Sequence, residues 1–325
     1  MTTPTHNVNF LYDTHYTEGK RVTFTKQGLK VAGLLFTPNG FDESKQYPAI
    51  VVTHPGGGVK EQASSLYAYN LAQAGFVALA FDATHQGESE GTPRYLEDPT
   101  ARVEDIRSAV DYLVTLPFVD EDRIGAMGIC AGAGYTLSAI QTEYRIKAAA
   151  GISSWNTGYS ARNGNPGQNN PETMKKLLSL VAEQRTREAR GEEPLIIGYV
   201  PNTEDEFGMD THYGDSVIMH EAFEYYRTPR CAYPTSPNKV LLTSFDRLAA
   251  FDAFAHIDTV SPRPLLFIVG SEADTKYFTD MAYEKAQQPK ERFTIPGATH
   301  IDLYDKTEYV SQAITKLVSY FNQYL

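Results

Sequence analysis

Three residue types that together can do covalent chemistry follow one another along the chain. They are Cys130 inside AMGICAGAG (126–134), an acidic pair, Glu272 and Asp274, in GSEADT, and His300 in GATHID. A thiol becomes a nucleophile when a base takes its proton, and the base works best when a third group holds its tautomer. Cys130 stands between Gly128 and Gly132, small residues that let a strand turn tightly into a helix and leave the sulfur at the apex. A helix starting directly after Cys130 would aim N–H groups and a positive dipole end at the sulfur, which favours thiolate. Free cysteine also packs as a small apolar residue, but this strand-to-helix setting favours the nucleophile. His300 and Asp274 each fall just past a short apolar run, RFTI and PLLFIV, in loops on the same sheet edge as the turn, with Asp274 preferred over Glu272.

The oxyanion of an acyl-transfer intermediate needs preorganised donors. The Ala131 N–H is one, and Gly56 or Gly57 in the run His54-Pro55-Gly56-Gly57-Gly58 supplies the second, because glycine lets backbone approach a ligand closely. A rival nucleophile is Ser89 in GESEG (87–91), which matches the Gly-x-Ser-x-Gly pattern by letter. Its strand has already ended, and TPRYLEDP follows in place of a helix, so Ser89 is read as a loop residue. His54 and His85 are read as structural. Trp155 and Tyr159 are candidate substrate-binding residues and, with Phe223, Tyr225 and Tyr226, candidate aromatics of an apolar lid, although such aromatics also serve as ordinary core. No metal site and no cofactor are expected.

Placing these residues requires a sheet. Short β-branched runs alternate with amphipathic stretches, the signature of an α/β fold with a mostly parallel central sheet flanked by helices. Residues 21–25 and 29–36 read as an antiparallel hairpin at its edge. Strands are predicted at 49–53, 76–81, 123–128, 147–152, 264–269 and 292–295, and helices at 61–74, 101–116, 131–141, 277–286 and around 310–321. After Trp155 the alternation stops for about ninety residues, where a helix capped by Asn170 and opened by Pro171 runs towards Gly191, and another covers 216–226. This divides the chain into a core, 1–155 with 246–325, and an inserted helical cap, 156–245.

A net charge of −11 argues against nucleic acid or an anionic membrane as partner, leaving a small-molecule substrate. With no long apolar run and two cysteines in unrelated contexts, a cytoplasmic protein with free thiols is expected, its oligomeric state open.

The motifs in combination resemble the α/β-hydrolase superfamily over nearly the whole chain, and within it the dienelactone hydrolase-like branch, where a Gly-x-Cys-x-Gly turn occurs. HPGGGVKEQ is similar to the oxyanion loop, DATHQGESEGTPR to the loop after the fourth strand, GICAG to the nucleophile elbow, and GSEADT and GATHID to the acid and histidine loops. The resemblance implies a Cys-His-Asp triad of Cys130, His300 and Asp274. Two departures stand out. His54-Pro55 replaces the glutamate that dienelactone hydrolases place after the third strand, and the long cap means that their substrate is not carried over. The expected activity is hydrolysis of a small ester, lactone or thioester through a Cys130 acyl-enzyme. The alternatives are a non-catalytic small-molecule binding protein on the same scaffold, or a carbon–carbon bond hydrolase or acyltransferase using the same triad.

Overall fold

A computed structural model describes residues 19–164, 171–207 and 215–325. The chain opens with β1 (Lys20–Lys26) and β2 (Leu29–Phe36), an antiparallel hairpin joined at Gln27 and Gly28, both at positive φ (49° and 88°). Two positive-φ turn residues match the right-handed twist of the paired strands. Next come β3 (Tyr47–Thr53), α1 (Ala63–Gln73), β4 (Val77–Phe81), α2 (Pro99–Leu113), β5 (Val119–Ile129), α3 (Ala131–Ile140) and β6 (Ile146–Ile152). After them lie α4 (Thr157–Asn163), α5 (Pro171–Ala189), β7 (Ile196–Ile197), α6 (Val217–Arg227), β8 (Val240–Leu241) and α7 (Ser244–Ala250). The chain closes with β9 (Leu265–Gly270), α8 (Lys276–Lys285), β10 (Lys290–Ile295), α9 (Asp302–Asp305) and α10 (Thr307–Tyr324).

Eight strands form one sheet in the order β1-β2-β4-β3-β5-β6-β9-β10, antiparallel at the hairpin edge and parallel from β4 onward. This is the α/β architecture expected from the alternating pattern. The central strands β3, β4 and β5 are buried on both faces, which is why they read as unbroken apolar runs. Their side chains alternate between two cores. Ile50 and Val52 pack with Leu66 and Leu71 of α1 and Ile314 and Leu317 of α10; Ala49 and Val51 pack with Ile106 and Val110 of α2 and Leu137 of α3.

Boundaries moved where side chains or pairing decided them. The second helix begins at Pro99 because Asp98 accepts hydrogen bonds from the N–H groups of Thr100 and Ala101. β5 starts at Val119, four residues before the predicted 123, because Val119 pairs with Tyr47. Helix α4 was not expected; it starts where the Asn156 side chain accepts the Tyr159 N–H. The Asn170 cap lies outside the described residues. Helices α4, α5 and α7 pack on one another, and β7 pairs with β8 away from the main sheet. No helix among the described residues is long and apolar enough to cross a membrane.

Candidate active site

Cys130 sits at the junction of β5 and α3 with φ 57° and ψ −123°, a conformation that a residue with a Cβ adopts only under strain. Its surroundings hold it there. The Cys130 N–H donates to Ile152 O at 2.9 Å, and its carbonyl accepts from the N–H groups of Ala133, Gly134 and Trp155. Glycine at 132 is compulsory, because a Cβ there would come within 2.4 Å of the Thr53 carbonyl oxygen. The thiol is half-buried. N–H groups of Ala131 and Gly56 face the sulfur and the Tyr304 hydroxyl lies within hydrogen-bonding reach of it, yet burial outweighs them and pushes it up to about 11. Of the two glycines weighed for the second donor, Gly56 is the one whose N–H faces sulfur. Gly57, at φ 71°, makes the turn and packs against the Tyr199 ring.

His300 is buried on the turn between β10 and α9. Its Nδ1 lies 2.5 Å from Thr275 Oγ1 and its Nε2 lies 3.3 Å from Tyr304 Oη. With no ionised partner in that set, burial pushes the imidazole down to about 3, so it rests neutral. Asp274 does not join it: Asp274 Oδ2 accepts the Ile218 N–H at 3.1 Å, at the N-terminus of α6. A carboxylate is stabilised at a helix N-terminus, where unpaired N–H groups and the dipole converge. The next residue, Thr275, turns its hydroxyl inward to the imidazole instead. Glu272, the alternative acid, accepts from the Ser271 hydroxyl on the surface.

Trp155 and Tyr159 share one aromatic cluster. Trp155 stands edge-on to His300, with ring centroids 5.9 Å apart, and tilted against Phe278 at 5.0 Å. Tyr159 packs on the Phe278 ring at 5.8 Å and on Tyr277, one layer further from the histidine. Two tyrosines that sequence reasoning left out of the chemistry also face the thiol. Tyr304 follows His300 by four residues, a spacing that puts both on one side of a helical turn and was the available signal. Tyr226 comes from α6 and meets the site only through tertiary packing.

Beneath the glycine loop lies a buried polar layer. Ala83 N–H donates to His54 Nε2 at 3.1 Å and His54 Nδ1 contacts Pro55 O at 2.7 Å, while Arg102 Nη2 donates to His54 O at 2.7 Å. Glu97 accepts from the Tyr135 and Tyr199 hydroxyls at 2.7 and 2.9 Å. Burial and the Arg102 charge hold His54 well below the usual imidazole range. On the far side, Lys60 Nζ reaches Glu61, Asp82 and Glu88 at 2.7, 2.8 and 2.7 Å and ties the loop after β3 to the loop after β4. Ser89 is buried there, donating to Asp82 O at 2.7 Å and accepting the Ala32 N–H at 2.9 Å, so its hydroxyl is spent on strand pairing. His85, at φ 72°, contacts Pro93 O through Nδ1 at 2.8 Å.

The model of the dienelactone hydrolase family matches residues 31–184. The Escherichia coli protein YcjY is 40% identical over 311 residues, covering 94% of this chain and 99% of that one. The chain belongs to the dienelactone hydrolase family of α/β-hydrolases. The crystal structure of PA2218 from Pseudomonas aeruginosa superposes on this family member with a TM-score of 0.87 at 32% identity, covering 100% of this chain and 99% of that one. Thiohydrolase apmlB of Arthrinium phaeospermum is 29% identical over 277 residues, 83% of this chain and 85% of that one. A function of the hydrolase type accords with the family and the fold.

Proposed function

We propose that the protein hydrolyses esters, lactones or thioesters through an acyl-enzyme on Cys130. The observation that carries the reading is the strained elbow that presents the thiol to two converging N–H groups, Ala131 and Gly56, the pair an oxyanion needs. In the attack, sulfur bonds to the carbonyl carbon and the carbonyl electron pair moves onto oxygen. Tyr304 Oη takes the thiol proton as it releases its own to His300 Nε2, to which it is already adjacent at 3.3 Å. Thr275 Oγ1 accepts from Nδ1–H and so keeps Nε2 free to receive that proton. Collapse of the intermediate expels the alcohol, enol or thiol, which recovers the proton from His300. Water then attacks the thioester, releases the acid and restores the thiol. Thiolate is itself a good leaving group, so the intermediate expels only comparably good ones, which favours thioesters and activated esters over amides.

Residues 156–245 act as a cap in this reading, with Trp155 and Tyr159 on the acyl side. The likeness to a protein named a thiohydrolase puts thioesters first in the panel to test. Two cysteines outside any disulfide, Cys130 and Cys231, suit a reducing cytoplasm. The test is intact-mass detection of an acyl adduct across esters, lactones and thioesters. Adducts are expected on the wild-type protein and none on Cys130→Ala; turnover retained by Cys130→Ala overturns the reading.

A further inference from the structure

Tyr226 is buried, with 8% of its surface exposed, yet its hydroxyl makes no hydrogen bond of ordinary geometry among the described residues. Native proteins rarely leave a buried hydroxyl unpaired, and when they do a missing partner is the first explanation to seek. Its position says which partner. A Cβ placed on Gly58 would lie 3.4 Å from Tyr226 Oη, so the hydroxyl rests against the same glycine loop whose Gly56 N–H faces the thiol. Cys130, Cys231 and the Tyr304 hydroxyl are among the groups that act on it electrostatically. Tyr304 Oη also lies 3.3 Å from His300 Nε2, and no hydrogen bond of ordinary geometry among the described residues uses the Tyr226 proton.

The helix that carries Tyr226 is fixed at both ends. Asp274 holds its N-terminus through the Ile218 N–H, and Arg230, just past its C-terminus, forms a bidentate pair with Asp305 of α9 at 2.8 and 2.7 Å. The neighbouring Tyr225 hydroxyl accepts the Ala63 N–H at 3.1 Å, pinning the last turn against α1. A donor held this firmly before substrate arrives needs no reorganisation during the reaction, which is what gives oxyanion donors their effect.

We infer that Tyr226 Oη is a third oxyanion donor, hydrogen-bonding the carbonyl oxygen of the bound acyl group beside the Ala131 and Gly56 N–H groups. This rests on Cys130 being the nucleophile, and it makes a residue of the 156–245 segment part of the catalytic centre.

The test compares wild type with Tyr226→Phe using two probes of the same thiol. A trifluoromethyl ketone adds to Cys130 and places negative charge on its oxygen, whereas iodoacetamide alkylates Cys130 by displacing iodide and forms no oxyanion. Tyr226→Phe is expected to weaken inhibition by the ketone about 100-fold, to leave the alkylation rate within about twofold, and to leave the melting temperature unchanged or higher, because an unpaired group has been removed. Ketone inhibition unchanged by Tyr226→Phe overturns the inference while leaving Cys130 as nucleophile. So does a marked fall in melting temperature, which would show that the hydroxyl already had a partner. Failure of the wild-type protein to form the ketone adduct at Cys130 removes the nucleophile reading itself.

Discussion

Replacing Asp274 with asparagine separates two arrangements of the site sharply. Changing a true triad acid to its amide costs about ten-thousand-fold in kcat, because the histidine adopts the wrong tautomer and its positive charge goes uncompensated. Here the Asp274 carboxylate faces Ile218 N–H at 3.1 Å, and His300 Nδ1 faces Thr275 Oγ1 at 2.5 Å. Asparagine keeps an oxygen able to accept the Ile218 N–H, so only the charge at the α6 N-terminus is lost. That loss is worth about 0.3–1 kcal/mol and is partly offset because burial already raises the Asp274 carboxyl. Asp274→Asn should therefore retain kcat/KM on an activated thioester to within about threefold, less than 1 kcal/mol on the barrier. Thr275→Val removes the group that does meet the imidazole, at about the value of one hydrogen bond, and should lower kcat about tenfold. Steady-state kinetics on both variants, with melting curves as a control for folding, decide the matter. A thousandfold loss in Asp274→Asn, with Thr275→Val near wild type, would refute the assignment of Thr275 as the positioning residue.

Other outcomes follow from the burial of charge and of titrating groups. The Cys130 thiol rises from an ordinary 9.0 to about 11, so iodoacetamide should alkylate it about 100-fold more slowly than an unperturbed thiol near neutral pH. Its rate should climb steadily beyond pH 9, and a plateau near pH 7 would mean that a thiolate–imidazolium pair exists at rest. His300 falls from 6.5 to about 3 on folding, so the unfolded chain binds the proton more readily. The stability held above pH 6.5 is lost as pH drops towards 3, by about 3 kcal/mol on reaching pH 4. Urea unfolding of His300→Asn should lack that part of the acid dependence. Lys60→Met strips the cation from buried Asp82 and Glu61 and should destabilise the fold by about 3–5 kcal/mol in denaturant titrations.

Most of the architecture was legible because parallel strands buried on both faces leave apolar runs, and helices on a core leave a 3.6-residue repeat. The AMGICAGAG turn was legible for a stronger reason: a backbone that must pass the Thr53 carbonyl admits only glycine at 132, so the geometry is written in residue type. Asp274 was expected at the imidazole and meets the Ile218 N–H instead, because the position of a loop after a strand says nothing of which neighbouring side chain turns inward. The helix terminus that draws Asp274 away belongs to α6, more than forty residues earlier in the chain. Tyr304 was within reach of local reasoning by its four-residue spacing from His300, whereas Tyr226 reads from the sequence only as one aromatic of a lid. Its place depends on how α6 packs against α1 and α9.

One peptide bond separates the residue that anchors α6 from the residue that meets His300. Asp274 and Thr275 therefore behave as the two arms of a short rigid lever. Any movement of α6 away from the sheet must drag the backbone that carries Thr275, and with it the hydroxyl at the imidazole. In mechanical terms, the seating of α6 and the alignment of the imidazole form one linkage rather than two independent adjustments.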